Sequence, residues 1–317
     1  MQNNYITVAD LFAGIGGIAL GLKRAGFKIL WANEMDHNAC TTYSTNFKHK
    51  LYECEIQRLN PDKLPKVNML AGGFPCQAFS IAGYRKGFND TRGTLFFEIM
   101  RLVDSIQPEY LFLENVKNLE RHDKGNTFKV ILQELKKRGY HVKYKVLNTC
   151  EYSDIPQNRE RIYIVAFKNK AICDVFEFPK KSSKHKSICS ILDDNVDDNF
   201  YYNEKSPFFS ILTKEMTKRN TVYQWRRVYL RENKNNVCPT LTANMGMGGH
   251  NVPLVLDSKG IRKLTPRECA RFQGFPETYK FPAIANSALY KQFGNSVSVP
   301  VIEAVAKEIM KAIKKVS

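Results

Sequence analysis

The sequence predicts an α/β fold, a doubly wound and mostly parallel sheet followed by a second, smaller domain. Three observations carry this. Short β-rich runs alternate with helical patterns through the first half of the chain, a glycine-rich turn joins the first strand to the first helix, and the alternation stops after Phe167. Taken in order, strands are expected over residues 6–12, 28–33, 69–72, 110–114, 142–148 and 161–167, with helices over 18–25, 97–105 and 127–138.

The rest of the chain reads differently. Lys180-Lys-Ser-Ser-Lys-His-Lys186 and the acidic stretch at Asp193, Asp194, Asp197 and Asp198 read as a linker. From about residue 203 to 279 the chain is rich in Arg, Asn, Thr and Gly and has no α/β alternation, as expected of a separate domain. Val301, Val305, Ile309 and Ala312 fall at helical spacing in a final amphipathic helix. A chain of 317 residues exceeds one compact core. The expected organisation is a first domain over 1–180, a second over 181–285, and a segment over 286–317 that returns to the first.

Charge points to a partner. The chain has 48 Lys and Arg against 31 Asp and Glu, a formal net charge of +17. Such an excess favours a polyanion, because each cation laid on a phosphate releases condensed counterions. Nucleic acid leads, although a solvated lysine-rich surface would give the same number. No apolar run approaches the roughly 18 residues that cross a bilayer, and Met1-Gln-Asn-Asn-Tyr5 lacks signal-peptide character, so a cytoplasmic protein without membrane partners is expected. The eight cysteines are scattered, with no C-x-x-C pair and no zinc-type spacing. Neither disulfides nor a metal are expected.

Two constellations carry chemistry. Asp10-Leu-Phe-Ala-Gly14-Ile-Gly16-Gly-Ile-Ala19 is a G-x-G-x-x-A pattern between a strand and a helix, and Glu34 stands twenty residues after Gly14 at the end of the second strand. Glycines there let a ligand approach the backbone, and the carboxylate suits the ribose of a nucleoside cofactor. This pair would fit a dinucleotide oxidoreductase nearly as well. The second constellation decides. Gly72-Gly-Phe-Pro75-Cys76-Gln-Ala-Phe-Ser80 follows a strand, Glu114-Asn-Val116 follows another, and Gln157-Asn-Arg159-Glu-Arg161 precedes a third. At the carboxyl edge of a parallel sheet these supply a thiol, a carboxyl group and two guanidiniums.

These residues resemble the DNA cytosine-5 methyltransferases, in their compact bacterial form. The glycine turn, the Pro-Cys-Gln loop, Glu-Asn-Val, Gln-x-Arg-x-Arg, Arg267-Glu-Cys-Ala-Arg271-Phe-Gln-Gly274-Phe-Pro and Gln292-Phe-Gly-Asn295-Ser-Val all stand in the family's order. Only about residues 168–238 fall outside the likeness. The resemblance implies a Rossmann-like, S-adenosylmethionine-dependent enzyme that releases S-adenosylhomocysteine. It implies Cys76 as nucleophile toward carbon 6 of cytosine, Glu114 at ring nitrogen 3, and Arg159 and Arg161 at the base carbonyl. Phe12, Gly14, Gly16, Glu34, Met35, Ile56, Pro75, Leu95, Asn295 and Ser296 would line the cofactor. Glu55 belongs with them, although the family more often has Asp there.

The same resemblance implies double-stranded DNA as partner, with the target base flipped out. Ser80, Arg85 and Lys86 lie in what looks like the family's mobile loop, while Arg226, Arg227, Arg231, Thr240, Leu241, Asn244 and His250 fall in its recognition region. A monomer paired functionally with a restriction endonuclease is expected. The alternatives are an RNA (tRNA) cytosine-5 methyltransferase of the same fold and a catalytically silent DNA-binding regulator.

Overall fold

The computed structural model describes residues 5–75, 94–182, 185–226, 229–247 and 251–316. They divide into two compact units. The first holds the chain up to Leu147, then Glu160–Pro179, then residues from Ile302 onward; the second holds Asn148–Arg159 and Lys180–Val301.

The first unit is built on β1 (Thr7–Leu11), β2 (Lys28–Glu34), β3 (Lys50–Glu53), β4 (Met69–Gly73), β5 (Tyr110–Val116) and β6 (His141–Asn148), and, beyond β7 (Gln157–Asn158) of the other unit, on β8 (Glu160–Phe167). These seven strands lie in the order β3-β2-β1-β4-β5-β8-β6. The pairs β1–β2, β2–β3, β1–β4 and β4–β5 are parallel, and β8 runs antiparallel to β5. The fold class is the expected one. The centre of the sheet is apolar without alternation, since Met69, Leu70, Ala71, Leu111 and Leu113 are all 0% exposed. Strands covered on both faces have no polar side to show. The order reverses between β1 and β4, the switch point outside whose carboxyl ends ligands bind in this architecture.

Two elements escape the sequence patterns. Helix His37–Asn46, His-Asn-Ala-Cys-Thr-Thr-Tyr-Ser-Thr-Asn, buries only Ala39, Cys40, Thr42 and Tyr43 and carries no apolar stripe. Its start is fixed instead by Asp36, whose Oδ1 accepts the Ala39 N–H at 3.0 Å. β3 is a half-exposed edge strand of four residues, too short for a period-two signal.

In the second unit β9 (Tyr223–Arg226), β10 (Tyr229–Glu232), β12 (Leu254–Leu256) and β13 (Ile261–Lys263) form an antiparallel sheet in the order β10-β9-β12-β13. β11 (Cys238–Pro239) pairs in parallel with β7. Leu212, Met216, Tyr223, Leu254 and Ile261 make its core. Behind the sheet lies a buried ionic network. Arg262 is 0% exposed, and its guanidinium donates to both Glu268 oxygens at 2.8 Å and to Asp257 Oδ2 at 2.6 Å. Glu268 also closes a capping box with Thr265 at the start of helix Pro266–Phe272 and accepts the Asp193 N–H. The acidic run read as part of a linker is tied down at its start: Asp193 accepts from Arg271 at 2.7 Å, and Ile188 and Ile191 are buried.

The final helix Val299–Val316 has the expected periodicity, with Val301, Val305 and Ile309 at 0% exposure and Ala312 at 3%. Among the described residues no helix is long and apolar enough to cross a membrane.

Replacing Glu268 with Ala would leave Arg262 charged and partly unanswered in the interior. Losing one partner of a buried pair costs about 3–5 kcal/mol. The urea unfolding transition of Glu268→Ala is expected to shift by that amount, and a shift below about 1 kcal/mol would show that Asp257 alone supports the arginine.

Candidate functional site

At the carboxyl end of β1 the chain makes a left-handed turn. Phe12, Gly14 and Gly16 have φ of +52°, +53° and +81°. Gly16 has no alternative, because a Cβ there would stand 2.3 Å from the Phe47 ring. A Cβ on Gly14 would meet nothing within 4 Å, so open space lies in front of that backbone. Glu34, at the end of β2, braces the turn. Its Oε2 accepts the Gly14 N–H at 2.8 Å, and its Oε1 accepts those of Met35 and Asp36, each at 2.8 Å. An ionised carboxylate has about four acceptor positions. Three are used, and Oε2 keeps capacity for a hydroxyl. The remaining carboxylate acceptor and the open backbone therefore fit a nucleoside cofactor.

The other residues assigned to that cofactor differ in setting. Met35 is 69% exposed and Ile56 3%, Leu95 is half-buried against the core, and Pro75 is exposed. Glu55 is exposed, with a loose ion pair to Arg58 at 3.6 Å.

Asp10 opens the turn motif. It is fully buried beneath the turn, where its Oδ2 accepts the Ala19 N–H at 3.2 Å and its Oδ1 has no partner. Burial pushes its carboxyl up to about 8; the Ala19 bond opposes this and the Glu34 charge adds to it.

Around β4 and β5 the second constellation assembles. Glu114 is 7% exposed and pairs in register with Gly73, so its carboxylate faces the strand end that leads into Phe74 and Pro75. A Cβ on Gly73 would lie 3.2 Å from Glu114 Oε2. Arg161, on β8, holds Glu114 Oε1 at 3.2 Å through Nε and spends Nη1 on the Glu160 carbonyl at 2.8 Å. Asn115 is the residue whose individual role the sequence did not reveal. Its Nδ2 donates to the Phe74 carbonyl at 2.8 Å while its Oδ1 accepts the Val116 N–H at 2.8 Å, which fixes the amide's orientation and ties down the approach to Pro75.

Arg159, two residues before Arg161, belongs to the second unit. It is 2% exposed, and its guanidinium donates to the carbonyls of Leu241 at 2.8 Å, Gly294 at 3.4 Å and Ser296. Three backbone acceptors answer its buried guanidinium. Gly294 lies so close to the Thr242 carbonyl that a Cβ would fall 2.1 Å away. Asn295 is exposed at the end of helix Asn286–Asn295, and Ser296 closes it by donating its N–H to Gln292 O at 2.9 Å.

In the recognition region, Leu241 has a 1% exposed side chain and its N–H goes to Gln157 Oε1, so it is a packing residue of its own unit. Thr240 gives its hydroxyl to the Asn158 carbonyl at 2.6 Å. Asn244, Arg226 and Arg231 are exposed. Cys76, Ser80, Arg85, Lys86, Arg227 and His250 lie outside the described residues.

Comparison with known proteins accords with these constellations. Residues 6–311 match the family model described as C-5 cytosine-specific DNA methylase. The chain is 54% identical over 313 residues, 97% of its length and 99% of the relative's, to the Type II methyltransferase M.Bsp6I of Bacillus sp. (strain RFL6). It is 38% identical over 314 residues, 95% and 93% of the two lengths, to the Type II methyltransferase M.HhaI of Haemophilus parahaemolyticus. Among solved structures the S. pombe Dnmt2 methyltransferase aligns with a TM-score of 0.75 over 97% of this chain and 99% of that one. At 21% identity, this is a likeness of fold.

Two expectations follow from the geometry. With its carboxyl raised from 3.8 to about 8, folded Asp10 keeps a proton that the unfolded chain releases. Its contribution is therefore complete below about pH 4 and is lost as pH rises toward 8. The melting temperature of Asp10→Asn should fall less than that of the wild type between pH 5 and pH 8, and equal slopes would refute the assignment. Asn115→Ala should leave the melting temperature within a few degrees but lower turnover by about 10- to 100-fold, as misplacement of a reacting group does. Unchanged turnover would remove Asn115 from the site.

Proposed function

This chain belongs to the C-5 cytosine-specific DNA methylase family, and from that premise we propose that it methylates carbon 5 of a flipped-out cytosine in a short duplex site, with Cys76 as the covalent nucleophile. Family and fold are those of S-adenosylmethionine-dependent methyltransferases. The observation that most directly supports the reading is the pairing of Arg161 with the buried Glu114, which faces the strand end that leads into Pro75-Cys76.

Phe12, Gly14, Gly16 and Glu34 would hold the cofactor, whose nucleoside suits the open turn and the remaining acceptor of Glu34. S-adenosylmethionine, when bound, supplies an electrophilic methyl group. The protein's task is to make carbon 5 able to accept it. The Cys76 thiolate adds to carbon 6, and Glu114 provides a proton or hydrogen bond at nitrogen 3, so that the ring electrons move to carbon 5 as in an enamine. Arg161 pairs with Glu114 and would answer the base carbonyl. After methylation the carbon 5 proton passes to a water molecule acting as base, its C–H electron pair forms the 5,6 double bond, and the Cys76 sulfur departs from carbon 6 as thiolate. Arg159 enters this scheme as a positioning residue that fixes the Leu241 and Ser296 turns. Asn115 does the same for the cysteine loop.

Extruding the base costs a few kcal/mol in lost stacking and pairing. Contacts from the basic second unit, the target-recognition domain of this reading, would offset that cost. The relatives' designation as Type II methyltransferases supports a modification role beside a restriction endonuclease.

Tritium from labelled S-adenosylmethionine should enter duplex DNA and not transfer RNA; labelling of RNA alone would overturn the proposal. Cys76→Ser should reduce labelling to background, and Glu114→Gln should lower kcat by about 10²–10⁴, the usual worth of a positioned acid or base. Bisulfite sequencing of DNA from expressing cells would then reveal the site.

A further inference from the structure

Glu55 stands where the chain has little support of its own. It follows β3, a four-residue edge strand, and precedes a single 3₁₀ turn at Ile56–Arg58. Its carboxylate is exposed, and the ion pair with Arg58 at 3.6 Å is too loose to place it. A short edge strand and a lone 3₁₀ turn hold a backbone weakly, so the position of this carboxylate has to be set from elsewhere in the first unit. Two side chains do so.

The first is Asn33 on β2, which is 2% exposed. Its Nδ2 donates to the Tyr52 carbonyl at 3.0 Å and to the Cys54 carbonyl at 2.8 Å. Both amide hydrogens therefore go to the stretch that delivers Glu55. The backbone carbonyl of Asn33 accepts the Ala13 N–H at 2.9 Å, so the same residue is tied to the glycine-rich turn. The second is Arg101, on helix Thr94–Ile106. Its Nη2 donates to the Ile56 carbonyl and its Nη1 to the Leu59 carbonyl, each at 2.9 Å, while Glu98 Oε2 accepts from Nε at 2.6 Å. A planar guanidinium held at Nε presents its other nitrogens in a fixed fork. Ile56 and Leu59, 3% and 5% exposed, pack in one cluster with Ile99, Leu102 and Val103 of that helix. The carbonyls of Cys54 and Ile56, on either side of Glu55, are thus gripped from two separate elements.

Strand register indicates what Glu55 meets. Glu34 and Glu53 are partners across β2 and β3, so Glu55 lies just beyond the strand end next to the carboxylate that suits the ribose. A nucleoside with its ribose at Glu34 and its remainder along the open turn at Gly14 extends its base to the β3 side. A carboxylate there accepts from an exocyclic amino group, which adenine carries and hypoxanthine lacks.

We propose that Asn33 and Arg101 are positioning residues for the purine end of the cofactor: by fixing the Cys54 and Ile56 carbonyls they aim the Glu55 carboxylate at an amino group and give the site its preference for adenine. This rests on the cofactor reading above. Neither residue touches the cofactor. Both act through the backbone that carries Glu55.

The test titrates the full-length protein calorimetrically with S-adenosylhomocysteine and with S-inosylhomocysteine, in which an oxygen replaces the amino group. The wild type should bind the adenosyl ligand about 10- to 100-fold more tightly, the usual worth of a hydrogen bond to a charged group. Arg101→Ala and Asn33→Ser should each lower that ratio by about fivefold or more, because a misaimed acceptor loses the directional part of the bond. Arg101→Lys keeps the charge but not the fork, and its ratio should lie between those of Arg101→Ala and the wild type. The Arg101 side chain is 34% exposed, so truncating it opens no core cavity, and melting temperatures of the same samples report whether each variant is folded. A merely structural role would move the melting temperature and leave the ratio alone. If the variants weaken both ligands equally, or weaken neither, the positioning assignment is wrong while the cofactor reading stands. If the wild type binds both ligands with equal affinity, Glu55 accepts no amino group and the assignment falls in the same way. If the wild type binds neither, the cofactor reading falls with it.

Discussion

A carboxylate at the end of a buried strand persists only if something answers its charge, and the first unit answers three of them in three ways. Glu34 is met by backbone N–H groups of the turn it braces. Glu114 is met by the Arg161 guanidinium. Asp10 receives only one N–H and is pushed toward its neutral form. All three stand at or near the carboxyl ends of β2, β5 and β1, where apolar strands leave the core and polar groups first become tolerable. The chemistry collects at that edge because the interior of the sheet excludes it.

The second unit solves the opposite problem with buried guanidiniums. Arg262 is answered by carboxylates and Arg159 by carbonyls. The difference matters for function. Arg262 and Glu268 tie helix Pro266–Phe272 to β13 and to the acidic run before the sheet. Arg159 joins the turns around Leu241 and Ser296, so residues that lie far apart in sequence share one support. The Gln-x-Arg-x-Arg segment thus delivers its two arginines to separate duties. Arg159 donates to backbone carbonyls within the second unit, while Arg161, near the start of β8, pairs with the Glu114 carboxylate on β5.

Much of this was legible in the chain. The G-x-G-x-x-A turn with Glu34 twenty residues on, Glu-Asn-Val after an apolar run, and the closing amphipathic helix each announce local structure, because turn chemistry and periodicity are short-range properties. Helix His37–Asn46 was illegible for the same reason. It has a cap but no apolar stripe, and its burial comes from neighbours distant in sequence. Leu241 falls in the recognition region by its place in a motif, and the structure buries its side chain and gives its N–H to Gln157.

By itself the sequence determined the fold class, the family and the kinds of residue gathered for the reaction, since these depend on patterns along the chain. Tertiary structure decided which copy of each type has which partner. It alone distinguished Arg159 from Arg161, gave Asn115 the Phe74 carbonyl and buried Asp10 beneath the turn. Those outcomes depend on burial and on strand register, and both are set by contacts between segments that the linear order does not bring together.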